Sequence, residues 1–206
     1  KNLNKIYSDL DVFYSCYKND CITITGTNGK STTCQLLYEI LSKNDYDVKL
    51  VGNIGNPILS TKNIKSKTIF IVEASSYQLE YSKIFKSKYA AILNISPDHL
   101  ERHKTVKRYI EAKFKLLKFQ SKKSLSFVKK NDELIEKYLS SQKFNCKIIK
   151  VNTKSKNKIF SKLKNKYIFS EANKENLLFV LAILKKLKVK KKLLLKFIEE
   201  FKGLKY

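Results

Sequence analysis

The segment Cys21 to Thr33, CITITGTNGKSTT, constrains this chain more than any other stretch. It opens with β-branched residues, which favour a pleated strand. It passes through Gly26 and Gly29 and runs into Cys34 to Leu41, where apolar residues recur at helical spacing. Strand, glycine turn and helix start, in that order, form a phosphate cradle. Glycines let backbone N–H groups approach an anion, and a helix N-terminus offers unpaired donors and a positive dipole end. Gly26, Thr27, Asn28, Gly29, Lys30, Ser31 and Thr32 are the expected contacts. Lys30 can reach terminal phosphates, and Ser31 or Thr32 can hold the accompanying magnesium. The full G-x-x-x-x-G-K-[ST] pattern would need glycine at position 24, where Ile24 stands. The chain has only five glycines, and Gly26, Gly29, Gly52 and Gly55 fall in two turns. Glycine used so sparingly marks places where the backbone requires it.

The chain's 206 residues can bury roughly 70% of the unfolded surface. A hydrophobic content of 43% fits a globular α/β domain and excludes a disordered one. Its longest apolar run, Leu177 to Leu184, is too short to span a bilayer. No secretory signal opens the chain, and a start at Lys1 without Met suggests a piece of a longer protein. Cys16, Cys21, Cys34 and Cys146 lack C-x-x-C spacing, so buried free thiols in a reducing compartment are expected. The net charge of +25 suggests nucleic acid, but Arg102 and Arg108 are the only arginines. Base readout and bidentate phosphate recognition favour arginine. Dispersed lysines point instead to small anionic substrates and to no specific nucleic-acid partner.

Residues 1–20 read as a lead-in to the first strand. The spacing predicts further strands at 47–51, 68–72, 89–95, 125–128 and 147–151, mostly parallel, with helices on both faces. The stretch 145–170 admits a small antiparallel ribbon, with a short strand at Tyr167 to Phe169. A glycine-containing loop at Gly52 to Pro57 would lie where α/β sheets contact ligands. Glu73 ends a buried apolar run, and a carboxylate there can hold magnesium, although a strand-end glutamate is more often just solvated. His99 lies in a loop with Pro97 and Asp98 and can ligate metal or position a phosphate oxygen. The helix from Thr105 to Lys118 carries an apolar stripe of Val106, Tyr109, Ile110, Phe114 and Leu117. Lys113 falls in the middle of that stripe. Its amine either snorkels outward or serves a site. A desolvated amine has a lowered pKa and can take up carbon dioxide as a carbamate, an anionic metal ligand. A strongly apolar helix starts near Glu171. Asn173 and Asn176 share a face of its first turn, where they could cap the helix or read an adenine edge. The last helix, 190–201, would end at Gly203 as its C′ residue.

Together ITGTNGKSTT, GNIG (52–55), VEASSYQLE (72–80), LNISPDHLERH (93–103), YIEAK (109–113), NKEN (173–176) and the FKGL tail resemble the central ATPase domain of the Mur ligases. The motifs occur in family order over nearly the whole chain. Ala74, Tyr77 and Ala172 depart from the usual Leu, Phe and His. The resemblance implies that ATP phosphates lie on the Lys30 turn. It implies one magnesium held by Ser31 or Thr32 with Glu73, and a second held by His99 and a carbamate on Lys113. Asn53 and Ser75 would contact a UDP-linked muramoyl substrate, and Asn176 would contact adenine. The S-S-[FY]-Q-L-E motif and Ser31 favour the branch that adds D-glutamate to UDP-N-acetylmuramoyl-L-alanine through an acyl phosphate, in a cytoplasmic monomer. Folylpolyglutamate synthase, a related ligase, typically has Gly where Ser31 stands. A non-catalytic nucleotide-binding module is a further alternative. The expected domain is 21–203, with an N-terminal domain before it and a C-terminal domain after it outside this chain.

Overall fold

A computed structural model describes residues 5–154, 157–189 and 194–204. The elements are α1 (Asp9–Cys16), β1 (Cys21–Thr25), α2 (Lys30–Ser42), β2 (Val48–Gly52), β3 (Ile69–Glu73), α3 (Ser76–Tyr81), β4 (Tyr89–Ile92), α4 (Leu100–His103), α5 (Val106–Lys118), β5 (Leu125–Lys129), α6 (Glu133–Ser141), β6 (Lys147–Val151), α7 (Glu171–Lys186) and α8 (Leu194–Glu199). The six strands form one sheet in the order β2-β3-β1-β4-β5-β6. Every paired neighbour among the described residues is parallel. β1 is central, flanked by β3 and β4, and the chain departs from it in both directions. That reversal opens a crevice beyond the strand C-termini, where α/β sheets bind ligands.

Alternation along each strand divides the core between two faces. Ile22, Ile24, Ile71, Ala91 and Phe127 join Leu36, Leu37 and Ile40 of α2, Leu177 to Val180 of α7 and Phe197 and Ile198 of α8. Phe70, Val72, Ala90, Ile92 and Val128 join Leu10 and Phe13 of α1, Leu79 of α3, Tyr109, Phe114 and Leu117 of α5 and Ile135 of α6. Cover on both faces explains why these strands are continuous apolar runs in the sequence.

Among the described residues, the expected ribbon at 145–170 is not formed. β6 pairs in parallel with β5, and the rest of the stretch holds 3-10 turns at Phe160–Lys162 and Lys166–Phe169. Asn165 is the reason. Its side-chain oxygen accepts the Tyr167 N–H at 2.9 Å, and its Nδ2 donates to the carbonyls of Ile198 and Phe201 at 2.7 and 2.8 Å. Its side chain thus takes the Tyr167 N–H that a strand ladder would have used, and ties the turn to the end of α8. The expected strand at 89–95 ends at Ile92, because the chain then turns toward the phosphate loop. Of the predicted last helix, residues 190–193 lie outside the described residues. Its described part ends at Glu199, and Gly203 is not its C′ residue. Gly203 instead has φ +89°, and a Cβ there would lie 2.6 Å from Cε2 of Tyr167. Cys21, Cys34 and Cys146 are buried, whereas Cys16 is exposed.

The lead-in region contains a helix. Ser8 caps α1, and Asp11, only 1% exposed, reaches the segment after α3. Its carboxylate accepts from Ser82 Oγ (3.0 Å) and the N–H groups of Lys83 (2.8 Å), Ile84 (3.0 Å) and Phe85 (2.9 Å). Removing it would leave several buried donors unsatisfied, which is far more costly than losing one exposed bond. Asp11→Ala should lower the unfolding free energy by about 3–5 kcal/mol in urea titrations, and Asp11→Asn by less.

Candidate nucleotide and metal site

The turn from β1 into α2 lies at the crevice. Gly29 is the N-cap of α2 with φ +82°, and no side chain caps that helix. By contrast Ser8, Ser75, Thr105, Asp132 and Ser170 cap α1, α3, α5, α6 and α7. The first amides of a helix have no intrahelical acceptor, so those at the start of α2 are available to an anion. A Cβ on Gly29 would lie 2.2 Å from Oδ1 of Asn176, so glycine is required for close packing as well as for φ. Asn176 is itself buried, and its Nδ2 lies 3.5 Å from Oδ1 of Asn173, which places both asparagines on one face as predicted. Asn173 also donates to the Tyr167 carbonyl at 2.7 Å.

Lys30 folds back over the turn. Its Nζ donates to the carbonyls of Gly26 (3.1 Å) and Thr27 (2.9 Å). Lys113 does not snorkel. It is 2% exposed, and its Nζ donates to the same Gly26 carbonyl at 2.9 Å. The amine also lies over the ring of Tyr109, 4.6 Å from its centre. Burial is the main force lowering its pKa, and the charge of Lys30 adds to it, while Asp98 opposes; the result is a value of about 7. Much of this amine is therefore neutral and nucleophilic near neutral pH.

Glu73 ends β3, opposite Ile24 of β1 in register. It is buried; Oε1 accepts from Asn53 Nδ2 at 3.1 Å, and Oε2 is buried with no partner among the described residues. An orphaned carboxylate oxygen beside a phosphate cradle fits a hard cation. Asn53 also donates its N–H to the Glu73 carbonyl at 3.0 Å, so it orients the glutamate. Gly52 permits that approach, since a Cβ there would lie 2.3 Å from the Glu73 carbonyl oxygen. Ser75 forms a capping box with Gln78.

His99 sits in the left-handed region with φ +50° and heads the short helix α4. Its ring is exposed and held loosely, 3.5 Å from Asp98 and 3.6 Å from Glu101. It packs against Tyr77 and Tyr109, so it shares the Tyr109 ring with Lys113. Among the described residues, no three His, Cys, Asp or Glu gather closely enough to hold a metal unaided.

Three residues outside the predicted set shape the site. Tyr109 hydrogen-bonds Thr27 Oγ1 at 3.1 Å, although its spacing in the sequence marks it only as part of an apolar stripe. His103 is buried, pairs with Ser76 Oγ at 3.0 Å and stacks on Tyr77, and burial lowers its pKa. Asn94 bonds the phosphate turn. A polar residue inside the otherwise apolar run predicted as a strand at 89–95 is the signal the sequence offers for Asn94.

The chain matches the Mur ligase middle domain over residues 24–197. It belongs to the Mur ligase family. It is 40% identical to a Rickettsia bellii protein named UDP-N-acetylmuramoylalanine--D-glutamate ligase, over 72% of this chain and 34% of that protein. It is 34% identical to the protein of that name from Pseudothermotoga lettingae, over 98% of this chain and 48% of that one. The chain thus spans half or less of these Mur ligase relatives. Among solved structures, MurF ligase from Thermotoga maritima in complex with ADP superposes with a TM-score of 0.72 at 17% identity, over 95% of this chain and 51% of that one. The UDP-N-acetylmuramate:L-alanyl-gamma-D-glutamyl-meso-diaminopimelate ligase (MPL) from Neisseria meningitides gives 0.74 at 14% identity, over 96% of this chain and 71% of that one. These two likenesses show the Mur ligase fold.

This geometry has two measurable consequences. Gly29→Ala adds a methyl where Asn176 sits and forces φ +82° on alanine, so thermal unfolding should show a loss of about 1–3 kcal/mol. The second concerns Lys113. Its folded pKa of about 7 lies below the ordinary lysine value of 10.5, so the unfolded chain binds more protons between these values. The burial penalty is therefore complete below pH 7 and is relieved as pH rises toward 10. Wild-type melting temperature minus that of Lys113→Met should increase from pH 6 to pH 9; a flat difference would contradict the assignment.

Proposed function

We propose that this chain is the ATP-binding middle domain of an ATP-dependent amide ligase that joins D-glutamate to UDP-N-acetylmuramoyl-L-alanine. The observation that carries the reading is the convergence of the Lys30 and Lys113 amines on one carbonyl, that of Gly26, at the mouth of the cradle. Similarity to relatives named for that reaction supports the choice of substrate pair. In this reading residues 21–203 act with flanking domains of a longer, cytoplasmic and monomeric protein. Among the described residues no helix is long and apolar enough to cross a membrane.

The roles derive from what each group can do. Amides at the start of α2 and the Lys30 ammonium hold the ATP phosphates, with Asn176 beside the turn and toward the adenine. Gly26, Thr27, Asn28 and Gly29 shape the turn. Ser31 or Thr32 with the free oxygen of Glu73 would hold one magnesium. Lys113, as a carbamate, and His99 would hold a second. The carbamate forms when the neutral amine attacks carbon dioxide and loses a proton. Magnesium, when bound, neutralises phosphate charge and aligns the transferred group. Asn53 and Ser75 face the muramoyl substrate. The substrate carboxylate attacks the γ-phosphorus, ADP leaves, and the D-glutamate amine displaces phosphate from the acyl phosphate. The chain contributes positioning and charge stabilisation, which is most of what phosphoryl transfer requires.

The test is phosphate release by the longer protein with a panel of amino acids, with and without bicarbonate. D-glutamate should be preferred, and Lys113→Ala should lower kcat at least about 100-fold. Preference for another amino acid would overturn the substrate choice. The 206-residue chain alone should bind ATP without ligase turnover. With 13C-bicarbonate, it should give a carbamate NMR signal that is absent in Lys113→Ala.

A further inference from the structure

We propose that Asn94 is the positioning residue that sets the shape of the phosphate cradle and decides which of its amides stay open to an anion. This rests on the ATP-binding reading above. Asn94 lies two residues beyond β4. Its Oδ1 accepts the N–H groups of Thr27 (3.1 Å) and Asn28 (2.9 Å), and its Nδ2 donates to the Asn28 carbonyl at 3.1 Å. Its backbone carbonyl also accepts from Thr27 N–H at 3.1 Å. Two residues on, Ser96 donates its N–H to Thr27 Oγ1 at 2.9 Å, and its carbonyl accepts that hydroxyl at 3.2 Å.

One side chain therefore occupies the amides of Thr27 and Asn28 and clamps the Asn28 carbonyl that leads into Gly29. The anion is left to the amides at the start of α2, which face one way. A carboxamide is the group this needs, because its oxygen accepts twice while its nitrogen donates. Aspartate keeps the acceptors, loses the donor and adds a negative charge beside the cradle. Alanine loses all three bonds.

Binding of magnesium-ATP and of magnesium-tripolyphosphate to the chain is measured by calorimetry for wild type, Asn94→Ala and Asn94→Asp, alongside melting temperature. Asn94→Ala should weaken both ligands at least tenfold and by similar factors. Asn94→Asp, which keeps both acceptors but loses the donor and adds a negative charge, should also be weakened for both ligands. In 15N spectra of the wild type, tripolyphosphate should shift the Ser31 and Thr32 amides and spare those of Thr27 and Asn28. Should Asn94→Ala not fold, Asn94→Asp and the wild-type spectra decide. Wild-type affinity in Asn94→Ala overturns the inference alone, as does loss of ATP binding with tripolyphosphate spared or a wild-type response centred on the Thr27 and Asn28 amides. If the wild-type chain binds neither ligand, the ATP reading falls and the inference falls with it.

Discussion

The carbonyl of Gly26 receives two amines, and the rest of the site is arranged around that fact. Lys113 belongs to the face of α5 that packs on the sheet, so its amine has no route to bulk water. A buried ammonium without a partner would be prohibitive. The carbonyl at the end of the central strand supplies the partner, and the nearby Lys30 makes the charged form of Lys113 less favourable. The outcome is a turn at which two amine donors meet on one carbonyl, with the Lys113 pKa lowered to about 7.

Parallel topology brings the remaining groups to the same edge. β1, β3 and β4 all run the same way and are adjacent, so their C-terminal ends open together. Each strand exit brings its own group: the glycine turn after β1, Glu73 at the end of β3, and Asn94 after β4. The neighbouring β2 adds Gly52 and Asn53, whose close approach orients the Glu73 carboxylate. α5 crosses beneath this edge and presents Tyr109 and Lys113 one helical turn apart, one to Thr27 and the other to Gly26. The site is thus held by several strand ends and one helix together rather than by a single loop.

Much of this is legible in the sequence where the determinant is local. Alternation and apolar runs identify the strands. Glycine placement identifies the turn, and the 3.6-residue stripe of α5 singles out Lys113 as an anomaly. Tyr167 to Phe169 reads as a strand yet forms a turn, where Asn165 accepts the Tyr167 N–H and is itself anchored to carbonyls more than thirty residues away, at 198 and 201. Gly203 departs from expectation for a similar reason: its neighbour is the Tyr167 ring, not the end of a helix. Asp11 gives no signal at all, since its four donors belong to Ser82 through Phe85.

By itself the sequence determined the succession of elements, the double cover of the sheet and the chemistry present at each strand exit. These depend on backbone propensity and on periodicity within a few residues. Tertiary structure decided whether the Lys113 amine turned inward, which oxygen of Glu73 stayed free, and that Asn94 and Tyr109 grip the phosphate turn. Those outcomes depend on strand order and on which helix crosses which edge. Strand order is set by the packing of the whole sheet, and no short window of residues contains it.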